Sequence, residues 1–121
     1  MAIENNQVGN TQSTGNPVIT VPASKSYAIT TVMVTNTYSP NDSSPETHNA
    51  TFDLYFVKSG EALANKVNCV VRQLTLPAGE TFTFDTEKIV LEAGDRIFCI
   101  GSPDIGSSLT DLAITVSYLE V

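Results

Sequence analysis

A chain of 121 residues with net charge −7, six Lys and Arg against thirteen Asp and Glu, is long enough for one domain. It has no basic stripe to neutralise nucleic-acid phosphates or grip an anionic membrane surface. The apolar share is 41% and the charged share only 16%, with Thr, Ser and Asn abundant; this argues against a helical bundle and suits β-sheet with polar loops.

In chain order, residues 1–16 come first, rich in Asn, Gln, Gly, Ser and Thr. Beyond Met1 and Ala2, Ile3 and Val8 are the only apolar residues there, too few to build a core. The segment reads as a disordered terminus or as an extended arm, 1–17, that orders against a neighbouring subunit. It lacks the basic start and apolar stretch of a secretory signal, and no run reaches the ~20 apolar residues of a membrane-spanning helix. A protein made and kept in a cytoplasm is expected.

A single domain is then expected over 18–121. Val18–Val21, between Pro17 and Pro22, predicts a first strand at an edge or lead-in. Tyr27–Asn36 predicts a second strand; apolar residues fall on both of its alternating faces, so coverage on both sides is expected. Thr37–Asn49, with Tyr38, Pro40 and Pro45, is a long polar loop and a candidate contact segment. Ala50–Lys58 predicts a third strand, in which Phe52, Leu54 and Phe56 alternate with Asp53 and Tyr55. Ser59–Lys66 holds the helix-friendly Glu61-Ala62-Leu63-Ala64, too short to stand alone.

Val67–Leu76 and Glu80–Phe84 predict strands four and five, joined by Pro77-Ala78-Gly79. Asp85-Thr86-Glu87 reads as a turn into a sixth strand, Lys88–Leu91. Glu92-Ala93-Gly94-Asp95 turns into a seventh, Arg96–Ile100, with glycine supplying the positive φ of a tight turn. Gly101–Asp111 is a second polar loop and Leu112–Leu119 the last strand. About eight strands with frequent turn signals predict an all-β antiparallel sandwich of jelly-roll or immunoglobulin-like type.

The residues offer little catalytic chemistry. The single histidine, His48, sits in a loop among Pro, Glu and Thr, and no G-x-S-x-G elbow exists. Cys69 and Cys99 lie in apolar runs without a second Cys or a His at ligand spacing, so two buried, reduced thiols are expected and no metal site. The segment around Gly79 and Gly94 is superficially similar to cupins, but cupin metal chemistry needs several histidines. Paired carboxylates for glycoside hydrolysis could come from Asp53, Glu80, Asp85, Glu87, Glu92 and Asp95, but all except Asp53 lie near predicted turns, where such groups are normally solvated. No enzyme and no cofactor are expected. A sugar-binding module would use Tyr38 and Tyr55 as platforms, in a chain without Trp and only 7% aromatic.

Four stretches carry a family resemblance. They are Tyr27–Thr37, Ala50–Lys58, Thr81–Leu91 with Ala93-Gly94-Asp95, and Ala113–Val121. Together they resemble small virion structural proteins of tailed bacteriophages, including cyanophage-type viruses. The resemblance implies a non-enzymatic particle component made in the host cytoplasm. Its first expectation is a capsid decoration or cement subunit that binds the major capsid protein or other virion proteins. A tail, baseplate or fibre part is the alternative, and a carbohydrate-binding module for host attachment is the second. It also implies a homo-oligomer, with a trimer as the expected form. Compatible partner-contact residues are Ile3 and Val8 in the arm, Val18 and Val21 on an edge strand able to extend a partner's sheet, and Tyr38, Pro40 and Pro45 in the loop.

Overall fold

The structure, a computed structural model, describes residues 2–9, 17–37, 49–63, 67–103 and 111–121. Among them are eight strands: β1 (Ala2–Gly9), β2 (Ile19–Thr20), β3 (Tyr27–Asn36), β4 (Ala50–Val57), β5 (Cys69–Leu76), β6 (Thr81–Leu91), β7 (Arg96–Pro103) and β8 (Asp111–Glu120). They form two four-stranded antiparallel sheets, ordered β1-β8-β3-β6 and β2-β7-β4-β5. The chain is all-β, as its composition predicts.

The sheets meet through their inward residues. Val32 and Val34 of β3 and Leu112, Ile114 and Val116 of β8 join Phe52 and Leu54 of β4 and Ile97 and Cys99 of β7 in one core. Each fully buried Leu, Ile or Phe contributes about 1.5–3 kcal/mol relative to exposure. Aromatic contacts span the layers: Phe52 meets Phe82 at 5.7 Å between centroids and Phe56 meets Phe84 edge-on at 6.1 Å. Tyr27 and Tyr118 stack at 4.2 Å.

Three sequence expectations change. Residues 2–9, expected as a disordered terminus or an arm reaching to a neighbour, pair antiparallel with β8 of the same chain, from Ala2 opposite Tyr118 to Gly9 opposite Asp111. The segment needs no core of its own, because β8 supplies the ladder. Asp85-Thr86-Glu87, expected as a turn, stays inside one eleven-residue strand. The pairing steps from Ile29–Ile89 to Thr31–Asp85, so Thr86, Glu87 and Lys88 face Thr30 alone and form a wide bulge.

Strand β3 is the third. Its apolar residues fall on both alternating faces, which predicts cover on both sides. The ladder to β8 passes from Ile29–Tyr118 to Thr31–Ser117, leaving Thr30 as an inserted residue. The bulge resets parity: Tyr27 and Ile29 point inward before it, and Val32, Val34 and Asn36 after it. The strand therefore has one buried face. Thr30 holds the irregularity with its own hydroxyl, which donates to the Ser117 carbonyl at 3.0 Å.

Candidate interaction surface

The outer face of the β1-β8-β3-β6 sheet follows from this parity. Cross-strand partners place Val90, Ala28 and Leu119 in one row, Thr83, Met33 and Thr115 in a second, and Thr81, Thr35 and Ala113 in a third. A fourth row runs Asp85, Thr31, Ser117 and Ile3. Met33, Val90, Leu119 and Ile3 are all exposed, Ile3 at 61%. Thr35 and Thr81 share a hydroxyl hydrogen bond of 2.8 Å. Among the described side chains, Asp85 is the one charged group in these rows, on a chain of net charge −7. A sheet face of threonine and apolar groups loses little by leaving water, since it strips few charges of solvent.

The outer face of the second sheet is different. Tyr55, Val57 and Phe98 form a small second core, with Leu63, Cys69 and Ile100 packed against it. Arg96 lies 5.6 Å from the Phe98 ring centroid and donates to the carbonyls of Lys58 at 3.1 Å and Glu61 at 2.6 Å. Leu63 of the β4–β5 connection thus covers part of this face.

A polar cluster sits beside it. The Asp53 carboxylate accepts the Gln73 backbone N–H at 2.6 Å and the Tyr55 hydroxyl at 3.1 Å, with Arg72 at 3.7 Å. Gln73 has φ 50°, inside a β5 bulge where Asp53 stands opposite two residues. Burial, reinforced by the Asp53 hydrogen bond and charge, pushes the Tyr55 hydroxyl up to about 12. Burial raises the Cys69 and Cys99 thiols, the latter to about 12. Protonated, these groups are poor nucleophiles, so the cluster serves to fasten the bulge. Both cysteines are free, Cys99 buried as expected and Cys69 only half-buried.

A cavity of about 210 Å³ opens between the sheets, lined by Phe56, Val57, Ile89, Val90 and Leu91 with Lys58 and Asp95. Both Asp95 carboxylate oxygens are already engaged, by the N–H groups of Ser59 and Glu92 at 2.8 Å each. No group of three or more His, Cys, Asp or Glu able to hold a metal occurs among the described residues, and no helix there is long and apolar enough to cross a membrane.

The sequence-derived contact residues scatter. Ile3 joins the outer face, in the row of Asp85, Thr31 and Ser117. Val8 stands opposite Leu112 in the β1–β8 ladder. Val18 is half-buried against the core, its N–H bonded to the Ile97 carbonyl at 2.7 Å. Val21 is a core residue, 1% exposed, so its side chain offers nothing to a partner, although β2 is an edge strand. Tyr38, Pro40 and Pro45 lie outside the described residues. Tyr55 cannot serve as a sugar platform, being 1% exposed. Sequence reasoning missed Met33, Val90 and Leu119. The available signal was an outward phase in β8, Ala113, Thr115, Ser117 and Leu119, that carries no charge. No protein-family model, no curated protein and no solved structure matches this chain.

Proposed function

We propose that this chain is a bacteriophage virion structural protein, a capsid decoration subunit that lays its β1-β8-β3-β6 face on the head and stabilises it. The observation that carries the reading is that face, whose described rows hold threonine, serine and apolar groups with one carboxylate, Asp85, on an acidic chain. A lattice of repeated copies turns modest contacts into firm attachment. We further assign the fold to the jelly-roll type. The strand orders β1-β8-β3-β6 and β2-β7-β4-β5 support it, because an eight-stranded double Greek key pairs its strands in this way, an architecture common among capsid domains. Fold type alone does not imply function, so the weight rests on the face and on the resemblance of the strand sequences. The protein would be made in the host cytoplasm and end in the virion.

The test is binding of the purified chain to mature and expanded empty heads of the encoding phage, beside M33D and T115K. Both substitutions put charge on the outer face without touching the core. Saturable binding weakened at least about tenfold by either variant is the expected result. Absence of saturable binding to heads overturns the decoration role and leaves a tail, baseplate or fibre component. Removing residues 1–16 is a poor substitute, since it strips strand β1 from the sheet.

A further inference from the structure

We infer that strand β6 is a self-pairing edge through which two copies of this chain join about a two-fold axis centred on Thr83. The inference does not depend on the virion reading. It begins with backbone direction. Asn36 donates its N–H to the Glu80 carbonyl at 2.9 Å and accepts from the Gly79 N–H at 2.9 Å, so its main chain faces the β6 side. Peptide groups alternate along a strand, so Val34 and Val32 also face β6 and bond to their partners Phe82 and Phe84. The main-chain groups of Thr81, Thr83 and Asp85 therefore point away from β3, toward the side of the sheet where no described strand pairs.

Two other edges are blunted. Strand β2 has two residues between Pro17 and Pro22. Strand β5 is interrupted by register shifts on both sides of Leu54, with Gln73 at φ 50°. Such devices discourage strand addition. The segment Thr81–Asp85 has neither proline nor bulge. Its cover over the core is incomplete: Phe82, Phe84 and Ile89 of β6 are only half-buried, as are Val71 and Leu74 of the neighbouring edge β5. A partner seated on β6 would cover that apolar seam.

The occupant is a second copy because the segment is complementary to itself. In antiparallel register about Thr83, Thr83 faces its own symmetry mate in a pair that exchanges two backbone hydrogen bonds. Thr81 faces Asp85 of the other copy, and so do the reciprocal pair, each again exchanging two bonds. Phe82 falls opposite Phe84 at the positions where cross-strand side chains approach most closely. No carboxylate faces a carboxylate, which matters for a chain of charge −7. The contact is isologous and uses the β6 edge of both copies, so it closes as a dimer in place of an open sheet.

Sedimentation equilibrium at low salt from about 10 µM to about 1 mM tests this, with T83K and T81K as paired variants and circular dichroism to verify folding. A monomer–dimer equilibrium is expected. T83K sets two ammonium groups across the axis and weakens the dimer about tenfold. T81K sets an ammonium group opposite Asp85 of the other copy and leaves the dimer as tight or tighter. A wild-type monomer throughout, a trimer, or a dimer indifferent to T83K would overturn the inference. Both substituted positions are exposed, so loss of folding is not the expected route to loss of dimer.

Discussion

The Asp95 carboxylate accepts the backbone N–H of Ser59 at 2.8 Å across 36 residues of sequence. Its second oxygen accepts the N–H of Glu92 at 2.8 Å within its own turn. The residue's main chain continues the join: Val21 donates to the Asp95 carbonyl at 3.0 Å, and Gly94 donates to Val21 at 2.8 Å. One side chain and its backbone thus bind the β6–β7 turn to the β4–β5 turn and to the segment after β2. Replacing Asp95 by Asn keeps the shape but turns an N–H donor toward one of these N–H groups. D95N should cost about 1–3 kcal/mol of unfolding free energy in urea titration. A change below a few tenths would mean that the turns hold without it.

Glycine 94 makes the same junction sterically tight. Its φ is +86°, and a Cβ there would lie 2.8 Å from the Ser59 Cβ, closer still to its hydroxyl. Gly60 has nearly the same φ, +82°, with open space around it. G60A should therefore lose only the backbone strain, about 1 kcal/mol, while G94A loses that and the clash, about 2–4 kcal/mol together. Thermal melts of the two variants, side by side, separate the terms. Equal losses would show that Ser59 moves aside freely.

Asn36 is a polar residue in the core with no exposed surface. Its side-chain amide donates to the Leu76 carbonyl at 2.9 Å, tying the end of β3 in one sheet to the end of β5 in the other. N36L removes the donor and strands a buried carbonyl, at a cost of about 2–3 kcal/mol. Denaturant midpoints measure it, and a neutral effect would mean that water replaces the amide.

Alkaline pH should destabilise the fold. Burial pushes the Cys99 thiol from 9.0 to about 12. Between those values the unfolded chain has lost the proton and the folded chain retains it, so unfolding gains as pH rises. The stability contributed by keeping the thiol neutral is intact below about pH 9 and declines above it, by on the order of 1 kcal/mol per pH unit. C99A should melt lower at neutral pH through the cavity it leaves and show a shallower alkaline slope. An unchanged slope would assign the effect to other groups, Tyr55 first.

The sequence alone determined the all-β class and most strand positions. Tyr27–Asn36 was legible end to end, and β4, β5 and β8 within about two residues, because alternation and Gly-bearing turns are local signals. Three matters were decided only by tertiary structure. Residues 2–9 carry no strand-like apolar pattern, and they become a strand because the open side of β8 offers a ladder to them. Thr30 looks like any β-branched residue, yet its insertion opposite Ser117 decides which side of β3 is wet. The charge-poor rows of the outer face exist only when β6, β3 and β8 lie side by side, since they unite residues such as Val90, Ala28 and Leu119 from distant parts of the chain. Register and bulges are properties of paired strands; a single strand's sequence fixes its period, but the partner fixes its phase.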